Sequence, residues 1–365
     1  MQFQVSQLKD KVFSAKLPED LTVKLTDQLD RLEFVMKAGG GSSFTAYDQI
    51  ERYVTWVLSL PWNSESIDTL EISRARSIFD KNHYGLDNIK KRILEYMSVI
   101  ILQRHKALNN IAEGEFSPIE NIKQVSATVK FHAPILCFVG LVGTGKTTMA
   151  VSMAEALNRK LVRIPFGGLS SGLDLRGLSR THTEAEPGIV MRSLRRVGVR
   201  NPIILLDELD RVSDEKRNEI MGVLVELLDP EQNKAFVDHY IDYPFDISDA
   251  IFVATANNTN KIATAVLDRM EIIQMPSYSD EEKLYIAKEY LLPRAIKEVA
   301  LDTNTLRIEE NVWPLIIRPL GFDPGIRTLN RRIQGMVRKC AWKILNHDGT
   351  QFLVTDRNYR EFLET

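Results

Sequence analysis

Pro134-Ile-Leu-Cys-Phe-Val139, running into Gly140-Leu-Val-Gly143-Thr144-Gly145-Lys146-Thr147-Thr148, decides the reading of this 365-residue sequence. The short unbroken apolar run is the pattern of a strand buried on both faces of a parallel sheet. Gly140 to Thr147 fits G-x-x-x-x-G-K-[ST], and the next stretch, with Met149, Met153, Ala156 and Leu157, reads as a helix. A strand before and a helix after is the context that gives this motif its meaning. Gly140, Gly143 and Gly145 let the backbone turn its N–H groups around phosphates, and the positive end of the helix adds attraction. Lys146 is then suited to reach the β- and γ-phosphates of ATP, and the Thr147 hydroxyl to hold Mg²⁺. Thr144 and Thr148 belong to the same expected ATP-binding segment.

On either side, Leu161-Val-Arg-Ile164, Pro202-Ile-Ile-Leu-Leu206 and Ala250-Ile-Phe-Val-Ala-Thr255 repeat the buried-strand signature, with helical segments between them. Strands alternating with helices predict an α/β sheet with right-handed crossovers. The run ending in Asp207-Glu208 places two carboxylates at the C-terminal edge of that sheet, where ligands bind. Asp207 is suited to organise the magnesium through its water shell, and Glu208 to polarise an attacking water. Asn257 comes just after the strand Ile251 to Thr255 and could orient that water. Arg269, in Leu267-Asp-Arg-Met-Glu271, is a candidate finger for a neighbouring subunit's nucleotide, and Arg327, in Gly325-Ile-Arg-Thr328, for the same phosphates from above. Composition alone leaves Asn257, Arg269 and Arg327 equally readable as solvated polar residues.

The rest of the chain sets limits. Apolar residues at 44% and charged residues at 26% are the balance of a globular protein. A net charge of −2 supplies no general basic field for nucleic acid or an anionic membrane. Cys137 and Cys340 match no zinc or redox spacing. There is no apolar run of membrane length and no secretory leader pattern at Met1, so a cytoplasmic protein without membrane attachment is expected. Near the start, Pro18 with Glu19 and Asp20 marks a helix whose Leu21, Leu25, Leu29, Leu32 and Met36 share one face. That stripe could seal a coiled coil, a partner helix or a later part of the chain. The helix should stop by Ala38, before the Gly39-Gly40-Gly41-Ser42-Ser43 breaker. Helices are expected over Tyr47 to Leu60 and Ile72 to Leu102, interrupted at His83–Leu86, with a loop between Asn109 and His132. From Asp280 to Asn346 the pattern is helical without strand signals.

Several segments resemble the ATPase part of the Lon family, ATP-dependent proteases of the AAA+ class. They are Leu58-Ser-Leu-Pro-Trp62, Asp80 to Leu86, Gly140 to Thr147, Leu205-Leu-Asp-Glu-Leu-Asp210, Leu227-Leu-Asp-Pro-Glu-Gln-Asn233, Phe236 to Phe245, Ala254-Thr-Ala-Asn257 and Leu267 to Glu271. The resemblance runs from about residue 5 to 360. It implies that Tyr84 packs near the adenine, with His83 beside it in the nucleotide-binding set, that Asn257 is sensor 1, Arg269 the arginine finger and Arg327 sensor 2. It also implies a homo-hexameric ring with ATP between neighbours. The expected organisation is a helical segment over residues 1–70, an AAA+ α/β domain over 71–276, and a small all-α lid with a tail over 277–365.

Against that pattern, the sequence stops at Thr365, where the family's serine–lysine peptidase begins, and Ser170, Ser171 and Ser179 lack a matching lysine context. No peptidase activity in this chain is therefore expected, with a proteolytic domain or subunit elsewhere as a partner. Leu141-Val142 replaces the usual Pro-Pro of the phosphate loop. The pore loop, which in the family grips unfolded protein with an aromatic–aliphatic pair, reads Arg180-Thr181-His182-Thr183-Glu184-Ala185-Glu186-Pro187-Gly188. His182 is planar and able to stack, whereas Thr183 is small. Arg192, Arg195, Arg196 and Arg200 form a cluster for which an interface or exposed helix face is favoured over DNA phosphates. His83 and His239 are better suited to orient backbone than to ligate metal. The expected function is Mg²⁺-dependent ATP hydrolysis driving unfolding and translocation of damaged or unfolded protein. The alternative is an ATP-switched scaffold that recruits a partner through the Leu21–Met36 stripe.

Overall fold

Strands β1 (Ile135–Val139), β2 (Leu161–Pro165), β3 (Ile203–Asp207), β6 (Ile251–Ala256) and β7 (Met270–Gln274) form one parallel sheet in the order β2-β3-β6-β1-β7. The computed structural model describes residues 2–37, 43–112, 135–182, 184–318 and 323–363. Central strands β1, β3 and β6 are buried along their whole length, as their unbroken apolar runs require. Edge strand β7 carries no such signal, because it holds Glu271 and Gln274 and is only partly buried. Registers Val139↔Ala256, Val139↔Gln274 and Leu206↔Ala254 bring the ends of β1, β3 and β6 to one edge. The chain therefore leaves all three strands at the same place, which is where the site residues fall.

Helices cover both faces. On one, Met149 and Met153 of helix Lys146–Leu157 pack with Phe79 of helix Ile72–Asn82 and Ile93 and Met97 of helix Asp87–Ala112. On the other, helices Ile189–Val197 and Arg217–Leu228 supply Val190, Leu194, Ile220 and Leu224. Two short strands, β4 (Phe236–Val237) and β5 (Pro244–Phe245), form an antiparallel pair beside this layer.

The N-terminal helices are Gln2–Ser14, Glu19–Lys37 and Ser43–Ser59. Leu21, Leu25, Leu29 and Leu32 are at most 3% exposed, packed in one core with Val5, Leu8, Val12, Val54 and Val57. This corrects one expectation: the stripe is closed inside the chain's own bundle and offers no surface for recruiting a partner. The bundle joins the α/β layer through Trp62, whose ring lies 4.9 Å from that of Phe245. The connecting stretch of chain is pinned as well. Asn201 exchanges two hydrogen bonds with the Ser66 backbone, and the fully buried Arg159 side chain holds both carboxylate oxygens of Asp68.

The C-terminal part is mainly helical, as expected. Helix Asp280–Ile286 opens with a capping box between Ser279 and Glu282. Trp313, Ile316, Leu329, Ile333, Met336 and Cys340 form its core. One departure from an all-α lid is a parallel pair, β8 (Leu306–Ile308) with β9 (Phe352–Val354). Three-residue strands are too short to show a period of two in the sequence. Helix Asp87–Ala112 reaches into the expected Asn109–His132 loop, whose residues from 113 on lie outside the described ones; of the expected Gly39–Ser43 breaker, residues 39–42 also lie outside them and Ser43 opens helix Ser43–Ser59.

Candidate nucleotide site

Gly143 and Gly145 adopt φ of +84° and +94°, left-handed values that side chains resist. A loop bent in this way makes a concave row of backbone N–H groups, here ending at the N-terminus of helix Lys146–Leu157. The Lys146 ammonium donates to the carbonyls of Gly140 (2.6 Å) and Leu141 (2.8 Å) and to Asn257 Oδ1 (3.2 Å). Burial lowers its pKa, while Asp210, Asp207 and Glu208 pull the other way. A half-buried cation beside a concave loop suits an anionic, phosphate-bearing ligand.

Asp207 ends β3 at 2% exposure. Its Oδ1 accepts from the hydroxyls of Thr255 (2.5 Å) and Thr147 (3.3 Å), and Arg163 Nε donates to Oδ2 at 2.6 Å. Thr147 and Asp207 thus form an adjacent hydroxyl–carboxylate pair of the kind that could hold Mg²⁺. Glu208 sits at φ +59°, a strained conformation for a residue with a side chain, worth roughly 1–3 kcal/mol. Its N–H is held by Thr255 Oγ1 at 2.9 Å, and Arg211 pairs with its carboxylate at 3.3 Å. One hydroxyl, Thr255, therefore locks both acidic residues. Asn257 is clamped from behind: its N–H and Nδ2 donate to the two oxygens of the buried Asp210, at 3.0 and 3.3 Å.

From the C-terminal part, Ile326 N–H donates to the Gly143 carbonyl at 3.1 Å, and a Cβ on Gly325 would lie 2.5 Å from the Val142 carbonyl oxygen. This close approach starts the helix Arg327–Leu345 against the phosphate loop, with the Arg327 side chain exposed. Tyr84 stacks on Tyr285 of the C-terminal part with ring centroids 4.1 Å apart. His83 lies beside Tyr84 with its side chain turned inward. It is 5% exposed and its Nε2 pairs with Ser152 Oγ at 2.9 Å, so its side chain anchors the segment carrying Tyr84. Burial, aided by the Lys90 charge, lowers its pKa to about 4. Thr144 is buried and Thr148 donates to the Gly145 carbonyl, so both hydroxyls support the loop.

Arg269 lies elsewhere. Met270 pairs with Ile135, the first residue of β1, so Arg269 lies at the edge of the sheet opposite its own phosphate loop. The segment read from the sequence as a pore loop spans residues 180–188. Leu178 N–H donates to the Glu186 carbonyl, and buried Asp238 accepts from Gly188 N–H at 2.7 Å, closing the loop's base. His182 is exposed and lines a groove of about 270 Å³ with Arg180, Tyr53 and Arg52, while Thr183 lies outside the described residues. Of the basic cluster, Arg192 pairs with Glu186, Arg195 stacks on Trp56 at 4.0 Å, and Arg200 pairs with Glu65 and Asp249. Arg192, Arg195 and Arg200 are thus engaged within the chain, while Arg196 is exposed.

Sequence reasoning missed Arg163, Asp210, Thr255, Asp229, Tyr285 and the close contact at Gly325 as parts of these sites. Each acts through another residue, and only Asp210, two residues beyond Glu208, carried a local hint. Comparison with known proteins agrees with the geometry. Residues 136–278 match the family described as ATPase family associated with various cellular activities (AAA). The chain is 37% identical to Lon protease of Desulforamulus reducens over 96% of its own length and 40% of the relative's. It is equally similar to Lon protease 2 of Thermus thermophilus, over 99% and 42%, and to Lon protease of Trichlorobacter lovleyi, over 99% and 40%. It thus spans about two fifths of the curated relatives it matches.

Proposed function

We propose, given that this chain is an AAA+ ATPase module of the Lon family, that it hydrolyses ATP with Mg²⁺ to unfold and translocate protein. The observation that carries this reading is the convergence of Lys146, Thr147, Asp207, Glu208 and Asn257 on one sheet edge. Lys146 and the loop from Gly140 to Thr148 bind the phosphates. Thr147 and Asp207 hold Mg²⁺, which when bound neutralises charge on the phosphate oxygens. Glu208 takes a proton from the attacking water, and Asn257, fixed by Asp210, positions that water. Tyr84 packs near the adenine, and Arg327, at the start of its helix, senses the phosphates.

Arg269 is read as acting on the next subunit's ATP in a homo-hexameric ring, because it stands at the edge opposite its own site. The working parts are taken as residues 1–70, 71–276 and 277–365. Turnover would alter the angle between the last two through the Gly325–Gly143 contact and so move the His182–Thr183 loop. Peptidase activity is assigned to a domain or subunit other than this segment: the Ser170 hydroxyl donates to Asp174, and Ser179 accepts from Thr181. The setting we propose is the cytoplasm, where buried Cys137 and Cys340 stay reduced. Among the described residues no helix is long and apolar enough to cross a membrane.

The test is ATP hydrolysis per subunit across a wide range of protein concentrations, with and without Mg²⁺. A rate that needs the metal and climbs with concentration is expected. A rate indifferent to Mg²⁺ would sink the metal assignment, and ATP binding without turnover under any condition would sink the hydrolase reading.

A further inference from the structure

The Leu227-Leu-Asp-Pro-Glu-Gln-Asn233 stretch is a signature segment that the nucleotide site does not use. Helix Arg217–Leu228 ends there, and Asp229 is its C-terminal cap. The two carboxylate oxygens of Asp229 have separate partners. Oδ1 accepts from the backbone N–H groups of Glu231 (3.0 Å) and Gln232 (3.3 Å), which fixes the direction of the side chain. Oδ2 accepts from Arg269 Nη2 at 3.1 Å, while Arg269 Nη1 donates to the Ala265 carbonyl at 2.8 Å. The turn is itself anchored. Asn233 N–H donates to the Asp229 carbonyl and Ile247 N–H to the Asn233 carbonyl, tying the segment to the β4–β5 pair. Backbone N–H groups from Glu231 and Gln232, together with Arg269, hold the Asp229 carboxyl below the ordinary carboxylate range.

Arg269 is left about one third exposed, gripped on two of its nitrogens with the rest of the guanidinium accessible. An arginine has several rotatable bonds, and fixing a free one costs rotamer entropy. A charge that must meet developing negative charge in a separate molecule acts best when that cost is met before the encounter.

We infer that Asp229 is a positioning residue that holds Arg269 in the orientation it presents to the neighbouring subunit's nucleotide. The Asp-Pro-Glu-Gln-Asn turn exists to aim that carboxylate: one oxygen is locked to the backbone so that the other faces the guanidinium. The inference rests on the reading of Arg269 as a residue acting in trans.

Asp229→Asn separates the two functions, since an amide oxygen still accepts the turn's N–H bonds but its NH₂ cannot accept from the guanidinium. Turnover should fall on the order of tenfold, with the dissociation constant for ATP unchanged. The decisive measurement mixes subunits. Glu208→Gln subunits keep an intact Arg269 and Asp229 but lack turnover of their own, so they should restore hydrolysis at the ATP sites of Asp229→Asn subunits. Wild-type turnover by Asp229→Asn alone would overturn the proposal. So would low turnover that Glu208→Gln subunits fail to restore while they do restore Arg269→Ala, because Asp229 would then act within its own subunit. If Arg269→Ala is not restored either, it is the trans reading of Arg269 that fails. Should Asp229→Asn not fold, Asp229→Glu, which keeps the charge and shifts it by one methylene, is put through the same mixing and judged by the same outcomes.

Discussion

The nucleotide site and the proposed pore loop are built by opposite means. At the nucleotide site the reactive polar groups have a second residue behind them: Asp210 behind Asn257, Thr255 behind Asp207 and Glu208, Arg163 on Asp207. The site sits where buried strands end, so the sheet register fixes its geometry. The proposed pore loop is held at its base by Asp238 and the Leu178–Glu186 backbone bond, and at its sides by Arg192 on Glu186 and by Arg180, whose guanidinium lies 3.8 Å from the Tyr53 ring centroid. Its tip, from Thr181 to Glu184, faces solvent where described. A packed, hydrogen-bonded site tolerates little change, whereas an exposed tip tolerates much. That contrast fits a phosphate loop that keeps its glycines and Lys146 beside a proposed pore loop that carries His182 and Thr183.

Substitutions rank along the same contrast. Removing Arg269 should have the largest effect, with Arg269→Ala lowering turnover by roughly 10³–10⁵ while ATP still binds. A loss below tenfold in steady-state hydrolysis would place Arg269 outside the chemistry. Glu208→Gln should suppress turnover by about 10²–10⁴ without weakening ATP affinity, since only the base is lost. Lys146→Ala should weaken ATP binding roughly 10- to 100-fold by calorimetry, the value of charge-assisted hydrogen bonds to phosphate; an unaltered dissociation constant would refute the phosphate assignment.

A pH test addresses the support of the site. His83 titrates near 4 when folded and near 6.5 when unfolded. Its contribution to stability is complete above pH 6.5 and is lost as the pH falls from 6.5 through 4, because the unfolded chain takes up the proton first. At pH 5 the loss is about 2 kcal/mol for this one group. His83→Gln, neutral throughout, should shrink the difference in melting temperature between pH 7.5 and pH 5; an equal difference would show that His83 is solvated. His182→Ala should have the smallest effect, a few-fold loss in unfolding of a tagged substrate protein, of the order of one stacking contact. A loss as large as that of Glu208→Gln would erase the contrast between the two regions.

Much of this was legible because it is local. A buried strand, a glycine-rich turn and a helix announce themselves within a short stretch of chain, and so do two carboxylates at a strand end. Periodicity also located the Leu21–Leu32 stripe. It could not say what covers the stripe, because an apolar face looks the same whether the chain or a partner closes it. Edge strand β7 and the β8–β9 pair escaped notice, being half-polar or only three residues long.

The α/β core, the phosphate loop and the pairing of Asp207 with Glu208 needed nothing beyond the order of residues, since each depends on residue types at fixed short spacing. Folding in three dimensions was required to show that Asp210 faces Asn257, that Thr255 bridges two acidic residues, that Gly325 meets Gly143 and that Asp229 grips Arg269. Those partners lie 40 or more positions apart, and which of many carboxylates or glycines comes within a few ångströms of another is fixed by sheet order and helix packing.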